Sequence, residues 1–314
     1  MADASARSLA PAVAAGAIVR RPPRSLWHDA WRQFRRHHLA VAGTVVVSAL
    51  VVGVLLGPLV YRVPIDAIDF SASLQGPSLR HPFGTDDLGR DLLARALRGG
   101  QVSLAVGAAA MLIAITLGTL IGALSGFFGG TLDHLLMRLT DLFLALPQLP
   151  LLLVIIYLFR DLLRSRFGPE LGIFLLIVSV IGALNWMSVA RLVRASFLAL
   201  KQKEFVEAAR CIGATNGQII FRHILPNVLS PVIVAATIAV VEAIITESAL
   251  SFLGLGFPPD TPTWGRLLYD AQNFLDLAPH LALFPGLLIF LTVLSINYIG
   301  DGLRDALDPR KTAG

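Results

Sequence analysis

Residues Glu204 to Pro226 read EFVEAARCIGATNGQIIFRHILP and form a polar stretch between two long apolar runs. The first half of this stretch predicts a short amphipathic helix, because Phe205, Ala209 and Ile212 recur at helical spacing and predict one apolar face. Gly213 suits the left-handed backbone conformation that ends a helix. The residue types therefore predict a helix that stops at a hinge.

The second half predicts a second short helix. Thr215 with Gln218 three residues later is a capping-box pattern, and the helix that it starts carries Ile220 and Ile224. Pro226 suits the first turn of the next helix, where a missing N–H group costs nothing. A compact, hinged pair of helices is a shape that docks to a partner, although an ordinary loop with two amphipathic helices has the same pattern.

The composition indicates a membrane protein. Hydrophobic residues make up 55% of the chain and charged residues 15%, with a mean hydropathy of +0.71, whereas soluble proteins carry about 25% charged residues. The net charge of +5 does not indicate a nucleic-acid partner, because the basic residues flank apolar segments. The single cysteine, Cys211, excludes an intrachain disulfide and is interpreted as a small packing residue.

Six apolar runs are long enough to cross about 30 Å of hydrocarbon, which predicts an all-α, polytopic integral membrane protein with six transmembrane helices. Pro147 and Pro150 predict a kink in the third span. Residues 1–24 are expected to be disordered, and residues 25–38 predict an amphipathic helix lying among lipid headgroups. We expect a tail of residues 1–38 and a transmembrane domain of residues 39–314 with a loop at 192–227, the spans lying near 39–60, 102–127, 139–159, 171–191, 228–256 and 281–302.

The distribution of lysine and arginine predicts the orientation. About twice as many of these residues fall on the side of the N-terminus as on the other side, which favours both termini in the cytoplasm. The 204–226 segment is then cytoplasmic as well.

The long loop between the first two spans predicts a helix of its own. Thr85 is a candidate cap, since Asp86 and Asp87 would follow in the first turn, where acidic side chains are favourable. Gly99 and Gly100 are expected to end this helix.

The 204–226 segment resembles the EAA loop of ABC-importer permeases, whose pattern is Glu-Ala-Ala, three residues, Gly, nine residues, Ile, one residue and Leu-Pro. Here His223 holds the position of the Ile and Ile224 follows it, while the other positions match. The resemblance implies a type I ABC-importer-like transmembrane domain whose loop docks a coupling helix into an ATPase. The residues expected to couple are Phe205, Glu207, Ala208, Ala209, Ile212, Gly213, Ile224, Leu225 and Pro226.

The run from His81 to Asp91 resembles the signature of the C-type permease of the dipeptide/oligopeptide family. Further resemblances lie, in the order of the family, at Gly126–Pro147, Ala249–Gly256, Pro262–Leu267 and Gly300–Pro309. They imply a subunit in the bacterial cytoplasmic (inner) membrane that pairs with a homologous permease, with two ATPase subunits that use ATP and Mg²⁺ and with an extracytoplasmic substrate-binding protein. Di- or oligopeptide import is the expected function, and nickel or another small solute is the alternative.

Polar residues within the spans are candidates for the substrate pathway. A carboxylate in hydrocarbon is costly and normally faces a bundle interior or an aqueous cavity. Glu242, Glu247 and Asn185 are therefore expected to line the path or to pair with a neighbouring helix. Glu242 and Glu247 differ in direction by about 140° around one helix, so they are not expected to share a surface.

Motifs for chemistry are not found in the sequence. It contains no phosphate-binding loop (GxxxxGK followed by Ser or Thr), no His/Cys cluster with metal-site spacing and no catalytic Ser/His/Asp arrangement. We therefore expect a non-catalytic subunit that binds no cofactor or metal. A different class, an ion-coupled secondary carrier, would use the buried carboxylates without an ATPase, although inverted repeats are not evident. A membrane scaffold is a third possibility, but it leaves the 204–226 segment unexplained.

Overall fold

The structure, a computed structural model, describes residues 26–307, and within this range the chain forms helices and no β-strand. The all-α prediction is therefore confirmed. The disorder expected for residues 1–24 concerns residues outside this range. The last two residues of the C-terminal family motif, 308–309, also lie outside the described residues. The helices are α1 (Leu26–Arg36), α2 (His38–Val60), α3 (Leu92–Phe128), α4 (Gly130–Ala145), α5 (Gln148–Phe167), α6 (Pro169–Lys201), α7 (Glu204–Cys211), α8 (Asn216–Gln218), α9 (Leu225–Phe252), α10 (Trp264–Ala271) and α11 (His280–Leu307).

Five of these helical stretches are long and apolar enough to cross a membrane: α2, α3, α6, the continuous stretch from α8 to α9, and α11. A sixth span arises if α4 and α5 are counted together, since they pass the same test as a pair bent by 89°. The bend lies where the sequence predicts a kink, because Pro147 is the N-cap of α5. Pro150 lies in the first turn of α5, where its missing N–H group interrupts no helical hydrogen bond.

A stripe of glycines allows α3 and α6 to pack closely. Gly118, Gly122 and Gly126 lie four residues apart on α3, and a Cβ atom added at Gly122 would lie 2.5 Å from the carbonyl oxygen of Ala190. A Cβ atom added at Gly118 would lie 2.6 Å from the Cβ atom of Val189. Small residues at this spacing let membrane helices approach backbone to backbone, so this pair forms the centre of the bundle.

At the end of the bundle opposite the 204–226 segment, the prediction of a helix capped by Thr85 is wrong. Thr85 is fully buried, and its hydroxyl donates to the carbonyl oxygen of Ala72. The helix begins at Leu92 instead, with Asp91 as its N-cap, whose carboxylate accepts from the backbone N–H of Ala94 at 2.8 Å. Thr85 is thus used to fix the preceding loop.

Gly99 and Gly100 do not end this helix, as α3 continues through them to Phe128. A Cβ atom at Gly99 would lie 3.1 Å from the backbone of Thr263, and one at Gly100 would lie 2.8 Å from the indole of Trp264. These glycines make room for α10, which explains why a residue pair typical of helix ends occurs within a helix.

A buried arginine holds the loops together at this end. Arg95 is fully buried, and its guanidinium lies 3.7 Å from the carboxylate of Asp86, 3.9 Å from that of Asp270 and 4.0 Å from that of Asp66. Burial raises the pKa of Asp270, and the guanidinium of Arg266 at 2.8 Å opposes that shift. The charges of three separate segments are thus paired around one side chain.

Candidate functional site

The 204–226 segment has the local structure that its residues predict. α7 ends beside Gly213, which has a positive φ of 85°. Thr215 and Gln218 form the predicted capping box at the start of α8, with the backbone N–H of Thr215 donating to the side chain of Gln218 at 2.8 Å. Pro226 lies in the first turn of α9. These local predictions are confirmed.

The segment packs directly against the ends of the long helices. Val206 of α7 and Ile219 lie in one buried cluster with Phe127 of α3 and Phe197 of α6. The ammonium group of Lys201 also donates to the carbonyl oxygen of Phe127. Because the same cluster also contains Val228 of α9, it joins α7 to three spans at once, and the segment is built as a rigid extension of the bundle.

The outward side of α7 differs from the predicted apolar face. Val206 and Ala209 point toward the bundle, with 0% and 3% of their surface exposed, whereas Phe205 is 40% exposed and Ile212 is 85% exposed. Ala209 therefore does not share a surface with Phe205 and Ile212, because Val206 and not Phe205 packs on the helix ends. Ala208 is exposed, so the outer face of α7, as we name it, consists of Phe205, Ala208 and Ile212.

The second half of the segment turns its isoleucines inward. Ile220 and Ile224 are 9% and 0% exposed, whereas Phe221 is 69% exposed. The stretch Ile219–Ile224 is a π-helical turn, which accommodates one extra residue relative to an α-helix. Ile224 thereby fills the buried position, and His223, at the family's Ile position, is only partly buried.

The remaining residues expected to couple are distributed over the surface of the segment. Glu207 and Pro226 are exposed and Leu225 is half-buried. Cys211, interpreted from the sequence as a packing residue, is exposed at the end of α7. Its thiol is therefore a chemical probe next to the outer face of α7.

A second candidate site is a polar cavity of about 290 Å³ between α5, α6 and α9. Asn185 and Glu242, both predicted for the substrate pathway, lie in its wall together with Gln148. The side-chain amide of Gln148 donates to that of Asn185 at 2.7 Å. The structure therefore brings two of the three predicted pathway residues together. Gln148 was not predicted as a site residue. Its position directly after Pro147, at the predicted kink, is the feature of the sequence that could have indicated it.

The cavity lies deep within the spans. Glu242 is about 15 Å before the end of α9 at Phe252, given the rise per residue of an α-helix. Asn185 is halfway along α6, and Gln148 is the first residue after the break between α4 and α5. Glu242 is exposed in this chain, and since exposure of a carboxylate to lipid at this depth is costly, the side chain is expected to face water or a partner.

Glu247 lies elsewhere. It is fully buried, and its carboxylate accepts from the hydroxyl of Ser251 at 2.8 Å and from that of Ser103 at 3.1 Å. The hydroxyl of Ser103 in turn accepts from the backbone N–H of Trp264 at 3.2 Å. Glu247 thus ties α9 to α3 and α10, and we do not include it in the pathway that we propose below.

The described residues contain no group of three or more His, Cys, Asp or Glu side chains that could hold a metal ion. The candidate sites developed below are the outer face of α7 and the polar cavity.

Comparison with protein families gives two matches. Residues 118–313 match the family described as binding-protein-dependent transport system inner membrane component. Residues 25–77 match the N-terminal transmembrane domain of oligopeptide transport permease C.

Curated relatives align over nearly the whole chain. The dipeptide transport system permease protein DppC of Alkalihalophilus pseudofirmus is 40% identical over 286 residues, covering 91% of this chain and 90% of the relative. The glutathione transport system permease protein GsiD of Escherichia coli is 42% identical, covering 91% of each chain. The oligopeptide transport system permease protein OppC of Haemophilus influenzae is 42% identical, covering 91% and 89%.

Among solved structures, an inward-facing form of the MetNI methionine ABC transporter aligns with a TM-score of 0.54 at 19% identity. The alignment covers 68% of this chain and 95% of that chain. At this identity the match shows the fold, which is that of a type I importer transmembrane domain.

Proposed function

Because this chain belongs to the family of binding-protein-dependent inner-membrane transport components, we propose that it is a permease subunit of an ATP-driven importer of dipeptides or short oligopeptides. The peptide substrate is inferred from the relatives, two of which carry dipeptide or oligopeptide transport in their names. The glutathione transport of a third is consistent, since glutathione is itself a small peptide-like solute.

The observation that carries the proposal is the outer face of α7. Phe205 and Ile212 are large apolar side chains left in solvent on a helix whose other side is fixed to the bundle. An apolar face of this kind is suited to a partner's hydrophobic groove. We assign that groove to a cytoplasmic ATPase subunit, and the exposed Glu207 of the same helix is available to extend the contact.

The coupling follows from the rigidity of the segment. When the two ATPase subunits close on ATP, α7 is displaced with them. Because Val206, Ile219 and Phe127 lie in one buried cluster, the ends of α3, α6 and α9 move together. The bundle then rocks between inward-facing and outward-facing states, and Gly213 provides the turn that presents α7.

The assembly that we propose has four further chains. A homologous permease completes the path as a heterodimer, two ATPase subunits lie on the cytoplasmic side with ATP and Mg²⁺, and a binding protein delivers substrate on the other side. Both termini of the present chain are on the cytoplasmic side, together with the 204–226 segment. The polar cavity at Gln148, Asn185 and Glu242 is this chain's contribution to the path.

The test separates an ATP-driven importer from an ion-coupled carrier. Uptake of radiolabelled dialanine is measured in cells or right-side-out vesicles after ATP depletion, with the membrane potential kept intact by respiration. We expect uptake to stop when ATP is depleted and to persist when an uncoupler removes the potential while ATP is maintained. The reverse pattern would identify a secondary carrier.

A further inference from the structure

We propose that the polar cavity is an amine-recognition site at the centre of the path, in which the carboxylate of Glu242 receives the protonated amino group of the passing peptide. This inference rests on the proposed function. It adds the part of the substrate that the chain recognises and the residues that do so.

The charge of the cavity supports a cationic ligand. Its wall contains one ionisable side chain, that of Glu242, and no lysine, arginine or histidine. The other lining residues are polar and uncharged or apolar, namely Leu144, Gln148, Leu184, Asn185, Met187, Ser188, Ile245 and Thr246. A lone carboxylate at this depth favours a positive group beside it, since a charge-assisted hydrogen bond offsets the loss of water.

The opposite wall suits the rest of a peptide. Gln148 and Asn185 are held to each other by one hydrogen bond at 2.7 Å, which leaves further donor and acceptor positions of both amides available. Gln148 is also the first residue of α5, whose N-cap Pro147 makes no side-chain capping hydrogen bond. The positive end of a broken helix at mid-membrane is favourable for an anionic or carbonyl oxygen, so a peptide's carbonyl or carboxylate group is accommodated on this side.

The size and place of the cavity fit a small ligand in transit. Its volume of about 290 Å³ is at the lower end of the range of about 300–1,000 Å³ for small-molecule sites. Leu144 and Gln148, on either side of the break between α4 and α5, lie in its wall, so the cavity adjoins the point where the chain leaves helical conformation. Backbone of this kind is tolerated at membrane depth where it lines a cavity.

The experiment measures dialanine uptake by the complete importer at saturating binding protein, with each variant normalised to its amount in the membrane. We expect Glu242→Gln to lower the rate by about tenfold, as for the loss of one charge-assisted hydrogen bond. Glu242→Asp should retain most of the rate, because it keeps the charge. The matched control is Glu170→Gln, which removes an exposed carboxylate at the start of α6, away from the cavity.

A wild-type rate in Glu242→Gln overturns the inference, and so does an equal loss in Glu242→Asp and Glu242→Gln, which would indicate a requirement for shape and not for charge. Either result leaves the proposed function standing as long as the wild-type importer shows ATP-dependent uptake. Absence of such uptake in the wild type would instead contradict the proposed function.

A labelling measurement does not depend on the activity of the variant. Because Cys211 is the only cysteine, Glu242→Cys in a Cys211→Ser background introduces a unique thiol. In the assembled importer we expect this thiol to react with a cationic methanethiosulfonate reagent, and to react more slowly during dialanine transport. A thiol that does not react in any state, or that reacts at the same rate with and without transport, would remove Glu242 from the path.

Discussion

Ala208 and Ala209 are neighbours on α7, of which the first is exposed and the second buried, and their substitution separates docking from folding. We expect Ala208→Asp to lower ATP-dependent uptake by about tenfold or more, because it places a charge in the apolar contact with the ATPase. The variant should reach the membrane in normal amount, since Ala208 is exposed. Uptake per mole of inserted chain is the measurement.

Ala209→Asp is the matched substitution. Ala209 is 3% exposed, so the new carboxylate is buried against the bundle, at a cost of about 3 kcal/mol or more for an uncompensated charge. We expect this variant to show a lower thermal midpoint in detergent, which Ala208→Asp does not. Equal stability of the two variants, or normal uptake by Ala208→Asp, would contradict the assignment of the outer face of α7.

Gly213 is the second residue-scale test. Its φ of 85° is unavailable to proline, and the substitution also removes the hydrogen bond from its N–H group to the carbonyl oxygen of Arg210 at 2.9 Å. We expect Gly213→Pro to abolish uptake by misplacing α7. Gly217→Ala is the control, because a Cβ atom at that position meets nothing within 4 Å. This variant should transport normally. Normal uptake by Gly213→Pro as well would show that the turn at Gly213 is not needed.

At the residue scale, local chemistry was predictable from the sequence and burial was not. The left-handed Gly213 and the Thr215–Gln218 capping box depend on neighbours within three residues. The inward face of α7 depends on contacts with helix ends far away in sequence. Val206 and Phe205 are both apolar, and only the packing on Phe127 and Phe197 decides which of them is buried.

At the scale of elements, the packing of α3 on α6 can be tested with glycine substitutions. We expect Gly122→Ala to destabilise the chain by about 1–3 kcal/mol, as overpacking does, because its Cβ atom would lie 2.5 Å from the carbonyl oxygen of Ala190. Gly53→Ala in α2 is the control, since nothing lies within 4 Å of its Cβ atom. Thermal unfolding in detergent measures both, and an unchanged midpoint for Gly122→Ala would contradict the close contact.

The elements themselves were predictable to different degrees. The bend at Pro147 follows from the missing N–H group and restricted φ of proline, which are properties of one residue. The start of α3 at Leu92 and its passage through Gly99 and Gly100 were not predicted, because Thr85 is used in a loop contact and the glycines accommodate Trp264. The glycine spacing at 118, 122 and 126 was present in the sequence and indicates a helix contact.

At the scale of the whole molecule, the exposed thiol of Cys211 reports the docking of the ATPase. We expect maleimide to label Cys211 readily in the isolated chain and several-fold more slowly in the assembled importer, since a partner on the outer face of α7 covers the end of that helix. The Cys211→Ser chain gives the background signal. Equal labelling in the two states would place the ATPase elsewhere.

The architecture as a whole follows from composition and spacing, because apolar runs in a bilayer must form helices. The cavity was predictable only in part. Asn185 and Glu242 are marked by their polarity within spans, but their meeting with Gln148 requires the bend between α4 and α5. The different direction of Glu247 agrees with the angle of about 140° expected from helical geometry. Its hydrogen bonds to Ser103 and Ser251 come from the tertiary packing.

The most direct test of the central claim is to purify this chain from native membranes in mild detergent and to identify its companions by mass. The account predicts a second, homologous permease together with one or two kinds of ATPase that contain a phosphate-binding loop. An Ala208→Asp chain treated in the same way should recover the permease with much less ATPase. Recovery of the wild-type chain alone, in a form that still transports dialanine after reconstitution, would contradict the account.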